Sequence, residues 1–290
     1  MMRFHPNDGD QLARRTSVPD YAAYVYNEDL ILAVNAALAT DRPLLLRGNP
    51  GCGKSTVAKD IALALDREYL SEVITSKTTA TDLLWRFDAV GRLTDTKGGK
   101  AKPRSEFLEP GVLWRAFERG KRAAVVLLDE IDKADPDVPN DLLVPIGEGK
   151  FRVADDDRVK GELPLVERRR DVLVILTSNN ERDLPPAFLR RCVALWIDDP
   201  KDKRLEDIVR RHLDARNATA AKRVPFDPQL LREVVARVGT LGSGLARSAG
   251  TAEILDAFKA AIELGIDAKH PQWELLTRVL LYKESKPPTP

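Results

Sequence analysis

Gly48-Asn49-Pro50-Gly51-Cys52-Gly53-Lys54-Ser55 lies between the apolar run Leu44-Leu45-Leu46 and an amphipathic stretch over residues 56–65. Strand, glycine loop and helix in that order make a phosphate-binding loop. Glycines let the backbone fold into a nest whose N–H groups point inward at phosphate oxygens, and the helix N-terminus behind them adds positive potential. In this reading Gly48, Asn49, Pro50, Gly51, Cys52, Gly53, Lys54, Ser55 and Thr56 form the nucleotide-binding set. Lys54 reaches the β- and γ-phosphates and Ser55 holds Mg²⁺. The implied ligand is a nucleoside triphosphate.

Working outward, residues 27–39 carry apolar side chains at helical spacing, and 69–75 read as a second strand. Residues 124–128, 172–176 and 193–197 are short β-branched or leucine-rich runs bounded by charges, the pattern of strands buried on both faces of a parallel sheet. Strands alternating with helices predict an α/β core over residues 1–199. Beyond it, residues 200–283 show only helical periodicity and are expected to form an all-helical domain, with a loose tail at 284–290. A basic, glycine-rich stretch at 94–104 and a polar turn at 154–160, between expected strands at 150–153 and 163–166, interrupt the core.

The charge balance of 46 basic against 45 acidic residues leaves a net +1, so no global field draws the chain to nucleic acid. No apolar run approaches a bilayer span, and the first residues lack the apolar segment of a signal peptide. Two cysteines, Cys52 and Cys192, are too few for a disulfide framework, and a thiol inside the phosphate loop suits a reducing, cytoplasmic setting. Three scattered histidines make no metal-ligand spacing.

Three further motifs carry chemistry. Val125-Val126-Leu127-Leu128-Asp129-Glu130 delivers two carboxylates at a strand's carboxyl end, where open parallel sheets place ligands. Asp129 would position Mg²⁺, and Glu130 would polarise an attacking water. Leu176-Thr177-Ser178-Asn179-Asn180 ends a buried strand in amides able to donate to a γ-phosphate oxygen; a solvated turn is the alternative. Ala187-Phe188-Leu189-Arg190-Arg191-Cys192 sets an arginine pair before a strand, either surface charge or a finger for a neighbouring subunit.

Together GNPGCGKS, VVLLDEID, LTSNN and LPPAFLRRC resemble the AAA+ ATPases, and within them the MoxR-like group. Residues 85–112 look like that group's helix-2 insert. The resemblance implies a P-loop αβα sandwich with a helical lid, and ATP hydrolysis at the interfaces of a ring, usually a hexamer. It implies a protein client, frequently a partner with a von Willebrand factor A domain. It assigns Asn179 as γ-phosphate sensor, aligns Arg191 with the finger position ahead of Arg190, and puts residues 22–25, before the first helix, where relatives hold adenine. The lid arginine of relatives has no counterpart within residues 248–253; Arg247 just ahead is either its substitute or a helix-flanking surface charge. Other functions compatible with a phosphate loop are a nucleic-acid-dependent motor subunit, a small-molecule kinase and a slow nucleotide switch.

Overall fold

A computed structural model describes residues 3–19, 21–95, 102–118, 123–154, 164–168, 171–220, 223–241 and 250–281. The chain divides into two compact units. The first comprises Met1–Arg14, Tyr26–Arg47 and Lys54–Trp196; the second comprises Arg15–Val25, Gly48–Gly53 and Ile197–Pro290. The phosphate loop is thus grouped with the C-terminal helices, while Lys54, the next residue, belongs to the first unit.

In chain order the elements are α1 (Gly9–Thr16), α2 (Glu28–Thr40), β1 (Leu44–Gly48), α3 (Lys54–Ala64), β2 (Glu68–Val73), α4 (Ala80–Leu84), β3 (Trp85–Phe87), α5 (Ala89–Asp95), β4 (Leu108–Pro110), α6 (Val112–Glu118) and β5 (Ala124–Asp129). There follow α7 (Asp137–Asp141), α8 (Leu143–Glu148), β6 (Lys150–Arg152), β7 (Leu165–Glu167), β8 (Val172–Ser178), α9 (Pro186–Leu189), β9 (Val193–Ile197), α10 (Asp202–Thr219), α11 (Pro228–Leu241), α12 (Thr251–Leu264) and α13 (Trp273–Leu281).

The first unit is built on a sheet of order β2-β5-β8-β1-β9. The pairings β2–β5, β5–β8 and β8–β1 are parallel. The leucine- and valine-rich runs are buried as their composition predicts: every residue of β8 and all of β5 except Asp129 are inaccessible. Register sets Leu128 beside Leu176, so both strands finish at one level and present their polar ends together. Since β1 lies between β8 and β9 while the chain leaves it for β2, the order reverses at β1, the switch point where open α/β sheets bind ligands.

Two small hairpins flank this sheet. Trp85 to Phe87 pairs antiparallel with Leu108 to Pro110, which places a two-stranded hairpin inside the insert expected at 85–112. Phe151 of the β6–β7 hairpin stacks on Trp85 (ring centroids 5.9 Å apart) and meets Phe117 at 6.0 Å, joining both hairpins to the core. The centre of the 94–104 stretch and most of the 154–160 turn lie outside the described residues.

Some details depart from the expected elements. The helix expected at 27–39 is α2, entered through the Asn27 side chain, which accepts the Leu30 N–H. A helix precedes it, α1, whose Gly-Asp-Gln-Leu-Ala-Arg-Arg-Thr sequence has one apolar position worth burying besides alanine, too weak a stripe to read. Residues 22–25 therefore precede the second helix. Of the second unit, α10 to α13 share a core including Leu205, Val209, Val234, Phe258 and Trp273, with no strand among the described residues 201–281.

Ile175 sits at the middle of β8 with no exposed surface and neighbours on both sides, Leu44 and Leu127. Ile175→Ala should cost about 2–5 kcal/mol of unfolding free energy, read from the denaturant midpoint at unchanged slope.

Candidate functional site

The first turn of α3 supplies Lys54, which is 6 % exposed, and Ser55. Ser55 Oγ donates to Asp129 Oδ1 at 2.9 Å. The Thr177 hydroxyl, fully buried at the end of β8, donates to the same Asp129 oxygen and accepts the Glu130 backbone N–H at 2.8 Å. One hydroxyl thus links both acids of the Asp-Glu pair. Thr177 stands in the quoted LTSNN run, but only the register of β5 against β8 reveals its task.

Glu130 leaves the strand with φ 62°, a left-handed conformation that an ordinary residue adopts at a cost of about 1–3 kcal/mol. This turn aims its side chain differently from that of Asp129. Asn179 Nδ2 donates to Glu130 Oε1 at 3.3 Å, and Lys133 Nζ lies 2.7 Å from Oε2. The ion pair with Glu130 raises the Lys133 pKa, chiefly through that hydrogen bond. Lys133 is a second residue the motif reading did not single out; its spacing i, i+3 from Glu130 across a short 3₁₀ turn is the available signal. Asp132 Oδ2 accepts the Glu181 N–H at 2.9 Å, anchoring the loop that carries Asn179.

Ser55, Asp129, Glu130 and Asn179 are therefore joined through a chain of hydrogen bonds that runs by way of Thr177, all at the carboxyl edge of the sheet. Arg190 and Arg191 are not with them. They follow α9 at the amino edge, where Val193 N–H bonds to the Pro43 carbonyl just before β1. Arg42 donates from its guanidinium to both their backbone carbonyls, at 3.1 Å to that of Arg191. The Arg191 guanidinium donates to the Leu143 carbonyl at 3.0 Å, whereas that of Arg190 has no partner among the described residues. Both side chains are exposed. At about 3.3 Å per residue, the five residues of β1 separate these arginines from the carboxylates by roughly 16 Å.

In the second unit the glycines of the loop are set by close approach. A Cβ on Gly48 would meet the Ile197 carbonyl oxygen at 2.5 Å, and one on Gly53 would meet Tyr24 Cε2 at 3.1 Å. Gly51 and Gly53 have φ of 83° and 94°, which side-chain-bearing residues rarely take. Asn49 Nδ2 donates to Asp199 Oδ2 at 2.7 Å, and Cys52 N–H to the Asn49 carbonyl at 3.4 Å. Pro50 presents its carbonyl to Gly250, where a Cβ would lie 3.0 Å away. Thr56 is exposed on α3. Arg247 lies outside the described residues.

Metal-binding potential is limited to oxygen donors. Among the described residues no group of three His, Cys, Asp or Glu side chains could hold an ion. Ser55 Oγ and Asp129 Oδ1 are two hard oxygens already within hydrogen-bond reach, the donor type Mg²⁺ selects when phosphates and water supply the rest. Cys52 and Cys192 are buried free thiols, and burial pushes Cys192 up to about 12. No helix among the described residues is long and apolar enough to cross a membrane.

Comparison with known proteins places this geometry. The chain is 28% identical to Protein NorQ of Paracoccus denitrificans over 197 residues, which cover 66% of each protein. It is 26% identical to Lon protease 1 of Sorangium cellulosum over 213 residues, 73% of this chain and 24% of that one. The chain thus spans just under two thirds of one of these relatives and a quarter of the other. The crystal structure of NtrX from Brucella abortus shares the fold with a TM-score of 0.53 at 15% identity, covering 93% of this chain and 56% of that one. Residues 43–192, from the start of β1 to the end of the arginine pair and Cys192, match the model of the AAA domain, dynein-related subfamily. The chain belongs to this family, and its parallel-sheet unit is an AAA+ ATPase domain.

Proposed function

We propose that the chain is a MoxR-like AAA+ ATPase that hydrolyses ATP with Mg²⁺, assembles into a six-membered ring and uses the cycle to remodel or activate a protein partner. The observation that carries this reading is the Asp129–Thr177–Glu130 linkage beside Ser55. It gives one carboxylate to the metal and leaves the other to water. Mg²⁺, when bound by Ser55 and Asp129, would neutralise charge on the phosphates. Lys54 and the loop N–H groups would hold the phosphate chain. Glu130 would take the proton of the attacking water, and Asn179, already bonded to Glu130, would register the γ-phosphate.

The ring is supported by the distance of Arg190 and Arg191 from the carboxylates of their own subunit. An arginine at the far edge of the sheet serves transition-state charge only in a neighbour's site. Arg191 keeps the finger assignment from its alignment, and the unpartnered Arg190 is the second residue available to cross the interface. The likeness to NorQ supports the MoxR-like assignment, and with it a protein client, of which a von Willebrand factor A domain is the expected form. Net charge near neutral speaks against nucleic acid as the client, and buried free thiols suit the cytoplasm.

Specific ATPase activity measured against protein concentration with Mg²⁺ tests the ring. Activity per chain should rise steeply with concentration; a high, flat rate down to monomeric dilution would refute shared sites. Glu130→Gln should keep ATP affinity and lose at least 100-fold in turnover, checked by single-turnover hydrolysis beside equilibrium binding. Thr177→Val, which preserves shape while removing the linking hydroxyl, should lower kcat about tenfold or more with KM nearly unchanged. An unaltered kcat would mean that Thr177 does not position the acids.

A further inference from the structure

One cation at the carboxyl edge has no part in the chemistry proposed so far. Lys133 Nζ lies 2.7 Å from Glu130 Oε2, whereas Asn179 Nδ2 stands 3.3 Å from Oε1. The shorter bond to the carboxylate therefore comes from a residue with no assigned role.

The backbone puts the ammonium there. After Glu130 the chain makes a 3₁₀ turn over Ile131–Lys133, in which the Lys133 N–H bonds to the Glu130 carbonyl at 2.9 Å and the Ala134 N–H to that of Ile131 at 3.3 Å. Three residues make one such turn, so side chains at i and i+3 eclipse and Lys133 comes to lie over Glu130. The two residues between them are committed to the interior. Ile131 has no exposed surface, and Asp132, 2 % exposed, accepts the Glu181 N–H at 2.9 Å. The turn cannot swing Lys133 away without exposing Ile131 or giving up that bond. Glu181 and Asp132 add their charge to that of Glu130 in holding the ammonium at this edge.

The Thr177 hydroxyl fixes the backbone end of Glu130, but rotatable side-chain bonds separate that end from the carboxylate. Asn179 and Lys133 fix the far end, one on each oxygen. Of the two bonds the ammonium's is charge-assisted, the stronger class. An ionised carboxylate offers about four acceptor sites. These two donors take one on each oxygen and leave the others to water, so Lys133 orients the group without blocking it. Both side chains are partly open to solvent, and a pair so exposed adds little to fold stability. Its value lies in geometry.

We infer that Lys133 is the positioning residue of the water-activating base, the cation that sets the Glu130 carboxylate against the attacking water. This role rests on the reading of Glu130 as that base and deepens it.

The test is steady-state ATP hydrolysis by the full chain, at a protein concentration where activity per chain has levelled. Lys133→Met, similar in length but uncharged, should lower kcat about tenfold with KM within about twofold of wild type. Lys133→Arg, which keeps a cation within reach of Oε2, should stay within about threefold of wild type. In a Glu130→Gln background, which has no carboxylate to place, adding Lys133→Met should change the residual rate less than about twofold. Thermal midpoints show whether each variant folds; Lys133→Gln serves if Lys133→Met does not. Wild-type kcat in Lys133→Met overturns the inference, as does a raised KM at unchanged kcat, the mark of a nucleotide contact. A Lys133→Arg rate as low as that of Lys133→Met, or an equal loss in both backgrounds, overturns it too. Failure of the underlying reading looks different: there Glu130→Gln alone would turn over like wild type.

Discussion

The polar carboxyl edge of the sheet depends on the hydrogen bonds of one buried hydroxyl. Thr177 reaches from the end of β8 to the Asp129 carboxylate and to the Glu130 N–H, so two neighbouring strands hand their polar ends to a single joint. That joint exists because β5 and β8 pair in parallel and in a register that aligns Leu128 with Leu176. Buried on both faces, neither strand can slip without driving leucines into water or a carboxylate into the core. The sheet's hydrophobicity therefore fixes where the acids stand. The N–H···O bond from Glu130 to Thr177 also offsets part of the cost of holding Glu130 in a left-handed turn.

From this constraint follows a division of the sheet into two edges that carry different side chains. The carboxyl edge gathers Ser55, Asp129, Glu130 and Asn179; the amino edge carries Arg190 and Arg191, fastened by Arg42. A rigid sheet keeps the two apart, so the arginines cannot fold back onto their own carboxylates. In the proposed ring the same geometry would let one chain supply both halves of every interface.

The second unit shows the loop as a shaped object. A Cβ on Gly48 would run into the Ile197 carbonyl and one on Gly53 would crowd the Tyr24 ring, while Gly51 is held to glycine by its positive φ, and Pro50 faces Gly250. Binding a nucleotide on such a loop would be felt by Tyr24 and by the helices that carry Arg204 and Arg211, which bond to it, and Glu253, which accepts the Gly250 N–H.

Local signals determined much of this protein by themselves. Strand, glycine loop and Lys54-Ser55 follow one another in sequence, as do Leu128, Asp129 and Glu130, so backbone freedom, burial and charge can be read without knowing what lies across from them. The helical character of α10 to α13 is legible for the same reason, through apolar spacing along one chain segment. Four matters were decided by tertiary structure. Thr177 became the link between the acids through strand register, Lys133 became a partner of Glu130 through a turn, and Arg190 separated from Arg191 through a single carbonyl at Leu143. Arg204 met Tyr24 across 180 positions of sequence. Each of these is a long-range or turn-dependent contact, whose partners are brought together only when the core closes and which no periodicity along the chain records.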